Sequence, residues 1–180
     1  MGDAFELLGI DPAFELDLGA VERRHRDLSR ALHPDRFAGR PPTERRQALS
    51  KAIEVNDAWR TVRDPVRRAE ALLARLGLSS AEGQGPEPAT APELLMDLLE
   101  LREQLGEARR ERDAAAVEKL RRDVLGRQAR VEQNLAQSFS HALRSAPTDE
   151  LRDALLGQLG ELRYYRKFID DACVIEDEIL

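Results

Sequence analysis

Cysteine is almost absent: Cys173 is the single one in 180 residues, so the chain forms no internal disulfide and offers no thiolate cage for a metal cluster. A reducing cytoplasm suits that usage. Histidine is nearly as scarce, with His25, His33 and His141 only, and no metal-spaced cluster, nucleophile with its base, or glycine-rich phosphate loop accompanies them. We therefore expect no catalytic residue, no bound metal and no cofactor. No stretch approaches about 18 uninterrupted apolar residues, and the residues before the first apolar patch are acidic rather than basic. Neither a membrane span nor a secretion signal is expected. The nine prolines and eleven glycines are few, and several gather between residues 77 and 92.

What remains is a helix-forming mixture rich in Ala, Leu, Glu and Arg, 42% hydrophobic and 34% charged. That length and composition fit two small helical domains better than one large enzyme core. Residues 1 to 76 carry 14 Lys+Arg against 13 Asp+Glu, a net of +1, whereas residues 77 to 180 carry 14 against 21, a net of −7. An acidic second half is a poor nucleic-acid binder, because phosphate contacts need many basic groups. The asymmetry favours two different protein partners.

Apolar periodicity predicts helices over residues 3 to 8, 18 to 32, 43 to 62 and 65 to 76 in a first domain spanning 1–76. Thr43 is the expected cap of the third of these, whose Ala48, Ala52, Val55, Trp59 and Val62 share a face. Asp64 and Pro65 break the chain into the fourth helix, because proline is tolerated in a first turn and not inside one. Residues 77–92 read as a linker. Three further helices, over 93 to 111, 113 to 143 and 148 to 172, make a second domain at 93–180, a three-helix bundle with a coiled coil as the competing arrangement.

One short motif stands out. His33, Pro34 and Asp35 follow a stretch in which Val21, His25, Leu28 and Leu32 form one helix stripe and leave arginines on the remaining surface. Pro34 ends that helix, so the tripeptide is expected in a loop between two packed helices. By average composition such a tripeptide arises by chance in about one chain in a hundred of this length, so its flanks decide its meaning. A simple helix-terminating turn is the alternative.

With those flanks the tripeptide resembles the signature of a J domain. The run Phe5-Glu6-Leu7-Leu8-Gly9-Ile10, the segment Leu16-Asp17-Leu18, the run His33-Pro34-Asp35-Arg36-Phe37, and Val55-Asn56-Asp57-Ala58-Trp59 together resemble the HscB-type iron–sulfur co-chaperones. Asp64-Pro65 with Arg68 to Leu73 strengthens the match, and residues 94 to 105 independently resemble the start of that family's C-terminal helical domain. The resemblance covers almost the whole chain and is to the shorter bacterial form, which has no N-terminal Cys-x-x-Cys pair. It implies an all-α protein, an N-terminal J domain with a C-terminal three-helix bundle. It further implies an adaptor that binds an IscU-type scaffold protein and delivers it to HscA, a DnaK-class ATPase chaperone, stimulating that ATPase.

The resemblance assigns chaperone binding to His33, Pro34 and Asp35. Arg23, Arg26 and Arg30, at i, i+3 and i+7 on one exposed face, form either a solvated surface or, as the resemblance implies, a docking face extended by Arg36. Arg24 points elsewhere. On the helix from residue 93, Leu94, Leu98, Leu101 and Leu105 make one stripe at 100° per residue, while Leu95, Leu99 and Met96 fall on a different arc bordered by Glu100, Glu103 and Glu107. From the residues alone, that wider arc suits a docking surface or packing between neighbouring helices about equally. The resemblance favours the first, with Leu95, Met96, Leu99, Glu100, Glu103 and Glu107 meeting the scaffold and Tyr164 as their aromatic neighbour. Tyr165 and Phe168 read as packing residues. A J protein serving another client, or a helical structural protein that self-associates through Leu95, Met96 and Leu99, are the competing functions.

Overall fold

The computed structural model describes residues 2–78, 92–145 and 147–179, and among them all regular structure is helical. The chain divides into two compact units, Met1–Ser79 and Ser80–Leu180. Most of the expected linker lies outside the described residues.

In the first unit α1 (Ala4–Leu8) and α2 (Leu18–Ala31) precede a single 3-10 turn (Pro34–Phe37), and α3 (Pro42–Arg63) and α4 (Pro65–Arg75) complete it. Local chemistry sets each boundary. The Asp3 carboxylate accepts from the amides of Phe5 and Glu6 at the start of α1, and left-handed Gly9 closes it, with Ile10 N–H donating to the Phe5 carbonyl. Asp17 caps α2 in the same way. Left-handed Gly77 ends α4, where the Gly77 and Leu78 amides donate to the carbonyls of Ala74 and Leu73.

The start of α3 departs from expectation. Pro41 holds the cap position with no side-chain hydrogen bond, Pro42 is the first helical residue, and Thr43 lies inside the helix. Proline prevails because its fixed φ suits the first turn and its missing N–H would have had no helical partner anyway. At the other end, Asp64 caps α4 by accepting from the Val66 and Arg67 amides at 3.0 and 3.2 Å. The Val66 amide is thereby diverted from the Val62 carbonyl. Arg68, the one charged residue buried among those described, donates Nη1 to that carbonyl at 2.8 Å and lays its guanidinium over the Phe14 ring at 4.8 Å.

Phe5, Leu8, Val21, Ala48, Val55, Val62, Leu72 and Leu73 meet in the core of this unit. The α2 and α3 stripes meet at a seam where His25 stacks on Trp59 at 5.5 Å and its Nε2 lies 2.9 Å from Asn56 Oδ1. The Arg24 guanidinium, already set aside as a docking residue, donates to the Leu8 carbonyl and ties α2 to the end of α1.

The second unit is a bundle of α5 (Pro92–Glu111), α6 (Ala114–Ala142) and α7 (Asp149–Ile179). Arg112, at φ +56°, makes the left-handed turn after α5, and Asp113 caps α6 by accepting from the Ala116 amide at 3.0 Å. Val117, Val124, Val131 and Leu135 of α6 are buried, as are Leu155, Leu159, Leu162, Phe168, Ala172 and Ile175 of α7. The heptad spacing of Val117, Val124 and Val131, and the steps of four and three through Leu155, Leu159 and Leu162, are those of a supercoiled seam. The last helix outruns its expected end at 172 because Ala172 and Ile175 continue its buried stripe. Thr148 Oγ1 accepts from the Leu151 amide at 3.2 Å and sets its start.

Candidate functional site

Two sets of exposed residues were expected to dock partners, one in each unit. In the first unit α2 ends at Leu32, and Pro34 then turns the chain into the 3-10 turn instead of an irregular loop. Pro34 lacks a donor and fixes a φ compatible with the first position of such a turn, so the Arg36 amide donates to the His33 carbonyl at 3.0 Å. The turn orients the tripeptide. His33 Nδ1 accepts from the Asp35 amide at 3.3 Å, which leaves Nε2 as the ring donor in the neutral imidazole. The same Nδ1 lies 3.4 Å from Asp35 Oδ2, a contact that becomes an ion pair only when the ring is protonated. The His33 and Asp35 side chains are 58% and 88% exposed, so a partner reaches both without displacing the core.

Arg23, Arg26, Arg30 and Arg36 are all exposed. The face they make is less basic than the arginine spacing alone implies, because Arg26 pairs with Glu22 and Arg30 stands 3.9 Å from Asp27. Exposed pairs three and four residues apart contribute only a few tenths of a kcal/mol each, so a partner carboxylate can replace either acid. Two exposed apolar residues one turn apart on α3, Leu49 and Ile53, were not anticipated. The available signal was their position off the Ala48–Val55 stripe.

In the second unit the arc separation on α5 is realised. Leu98, Leu101, Leu105 and Ala108 are buried, Leu94 is half-buried, and Leu95, Met96 and Leu99 stand 50%, 67% and 55% exposed. Glu100, Glu103 and Glu107 are exposed beside them. Gln104 donates to Glu100 at 3.2 Å and Arg110 lies 3.8 Å from Glu107; both contacts stay on α5 and leave the acids facing solvent.

Tyr164 is half-buried, and its hydroxyl donates to the Leu98 carbonyl at 2.6 Å. The residue thus fixes α7 to the helix that bears the exposed arc. Burial pushes its phenol pKa up, Arg102 opposes that and Asp171 adds to it. Tyr165 and Phe168 are buried as expected, and burial, together with the Glu161 carboxylate, pushes the Tyr165 phenol up to about 12 against the opposing pull of Arg127.

Among the described residues no group of three or more His, Cys, Asp or Glu could hold a metal ion, and no helix is long and apolar enough to cross a membrane.

Residues 90–172 match the family model described as the HSCB C-terminal oligomerisation domain. The chain is 37% identical over 141 residues to a co-chaperone protein HscB homolog of Neisseria meningitidis serogroup C, covering 78% of this chain and 83% of that protein. To the corresponding homolog of Shewanella baltica it is 31% identical over 179 residues, 98% of each chain. Among solved structures, chaperone HscB from Vibrio cholerae superposes with a TM-score of 0.81 at 28% identity, covering 99% of this chain and 100% of that one. The human co-chaperone protein HscB reaches the same TM-score at 25% identity, over 97% of this chain and 82% of its own.

Proposed function

Because the chain belongs to the HscB co-chaperone family, we propose that it is a non-enzymatic adaptor of iron–sulfur protein maturation, acting in the cytoplasm. It binds an IscU-type scaffold through its C-terminal bundle and presents that scaffold to an HscA-type ATPase chaperone through its J domain. The observation that carries this reading is the doubled apolar surface of α5. The core uses Leu98, Leu101 and Leu105, and Leu95, Met96 and Leu99 remain half or more exposed, with nothing among the described residues of their unit covering them. Large contiguous apolar exposure rimmed by charge suits a protein interface.

The chemistry is the chaperone's. Asp35, exposed beside its neighbour His33, makes a charge-assisted hydrogen bond to a basic residue of the ATPase and stabilises the hydrolysis-competent arrangement. Arg23, Arg26, Arg30 and Arg36 steer the encounter with an acidic face and fix its register. A scaffold held on the bundle gains effective concentration near the chaperone's peptide site. Two modest contacts thereby produce efficient transfer.

Steady-state ATPase of the chaperone tests this, with this protein and the scaffold added separately and together. The adaptor reading expects stimulation by this protein alone and greater stimulation with both; no stimulation in either case overturns it. The matched family model's name favours a second reading, self-association through Leu95, Met96 and Leu99. Analytical ultracentrifugation of the protein alone distinguishes the two.

A further inference from the structure

We propose that the scaffold-docking surface continues beyond Leu99 along a trough between α5 and α7, where Gly106 and Val174 receive an apolar side chain of that same partner; this extends the adaptor reading and rests on it. The two helices run parallel. Tyr164 bonds to the Leu98 carbonyl and, further along both helices, Arg109 pairs with Glu178 at 2.8 Å. With Leu94 at zero and 100° per residue, Leu95, Leu99, Arg102 and Gly106 fall between about 80° and 140°, one flank of α5. On α7, Tyr164, Asp171, Val174 and Glu178 fall within an arc of about 80°. Both flanks border the same trough, which Arg102, Gly106, Asp171 and Val174 line.

The trough is open and apolar at its base. Leu105 and Ile175, 6% and 8% exposed, reach its floor, and Val174 is 57% exposed on its wall. A Cβ built at Gly106 would meet no atom within 4 Å, so no packing in the bundle uses the space that glycine leaves, although glycine weakens a helix interior relative to alanine. Gly126, Gly157 and Gly160 are equally open. Gly106 differs from them in standing on a wall of this trough. There the missing side chain lets a partner's surface come close to the α5 backbone.

Continuity and charge identify the occupant. From Leu95 to Gly106 the flank is about 16 Å long, the length of a three-turn contact, and it is unbroken by any carboxylate on α5. Glu100, Glu103 and Glu107 stand further round the helix, on the side away from the trough. The surface therefore fits a folded scaffold that presents an apolar ridge to the trough and basic residues to the glutamates. At the far end the Arg109–Glu178 pair closes the trough and sets the limit of the contact.

Full-length Gly106→Leu and Val174→Asp test this beside the double variant Leu95→Ala/Leu99→Ala. Scaffold titration by calorimetry is run with thermal melts and with chaperone ATPase measured without scaffold. Each trough variant is expected to weaken scaffold binding by about tenfold or more, with unchanged stimulation of the chaperone. Gly106→Leu, at an exposed helical position, should melt no lower than the unmodified protein, which keeps the test decisive if Val174→Asp unfolds. Normal scaffold affinity in Gly106→Leu, with affinity lost in the Leu95/Leu99 variant, ends the surface at Leu99 and overturns this proposal alone. Normal affinity in all variants puts docking on another face of the bundle and also overturns this proposal, whereas no scaffold binding by the unmodified protein overturns the adaptor reading itself. A change in self-association without a change in scaffold affinity makes a second copy of the chain the occupant and also overturns it.

Discussion

At the scale of single residues, function and stability are carried by different signals. His33, Pro34 and Asp35 are contiguous, so their chemistry is legible in the sequence without any knowledge of the fold; the structure adds that a 3-10 turn holds them and that both ionisable side chains face solvent. Asp35→Asn should leave the melting temperature and scaffold affinity unchanged and abolish stimulation of the chaperone, because it removes one charged contact from an exposed turn. His33→Gln should do the same, and ATPase assays on the two folded variants check both. Arg68 is the opposite case. Its role depends on which carbonyl the Asp64–Pro65 break leaves without a helical donor, and that follows from backbone geometry, not from residue type. Replacing Arg68 by Met should remove the donor to the buried Val62 carbonyl and the contact with Phe14, at a cost of about 2 kcal/mol, read from urea denaturation.

At the scale of elements, periodicity located all seven α-helices of the described residues, and the errors arose at their ends. Thr43 was the expected cap of α3 because hydroxyls cap helices, but two consecutive prolines fixed the backbone one residue earlier. The end of α7 was placed short because only continued burial of Ala172 and Ile175 distinguishes it from a solvated tail. The α2 face was legible as spacing and not as charge, since its arginines share the surface with Glu22 and Asp27. Reversing Arg26 and Arg30 to Glu should slow association with the chaperone, and the loss should shrink as salt rises, because exposed charges are screened over about 8 to 10 Å. Stopped-flow association at two ionic strengths measures it, with scaffold affinity as the unchanged control.

The join between α1 and α4 carries a pH dependence. Burial pulls the Asp3 pKa upward, but the hydrogen bond from Arg75, the Glu6 and Phe5 amides and the Arg75 charge together hold it below its ordinary value. A carboxylate depressed in the folded state stabilises fully above its unfolded pKa and loses that contribution as pH falls through the lowered folded value. Asp3→Asn should therefore lower stability at pH 7 by about 1 kcal/mol or less, in view of the solvent around the pair. The difference from the unmodified protein should close as pH falls below the ordinary carboxylate range, as urea denaturation at neutral and at acid pH will show.

At the scale of the whole molecule, the adaptor reading requires two functions that fail independently, and α5 is where that requirement meets the core. One helix supplies Leu98, Leu101 and Leu105 to the bundle and Leu95, Met96 and Leu99 to solvent. The sequence assigns Leu94, Leu98, Leu101 and Leu105 to the core but leaves the second arc open, since it suits a docking surface or packing between two neighbours about equally; among the described residues that arc is exposed. Replacing Leu95, Met96 and Leu99 together by Ala should cost little folding stability, yet several kcal/mol of scaffold binding if each anchor contributes the usual ~2 kcal/mol or more. Stimulation of the chaperone without scaffold should survive, because the His33–Asp35 turn belongs to the other unit. Replacing Leu98 by Ala should instead cost roughly 2 to 5 kcal/mol of folding stability through the cavity it leaves. Thermal melts and scaffold titrations on the two variants separate these outcomes. If the triple variant melts early while its folded fraction keeps full scaffold affinity, the outer arc contributes to folding and docking lies on another face of the bundle.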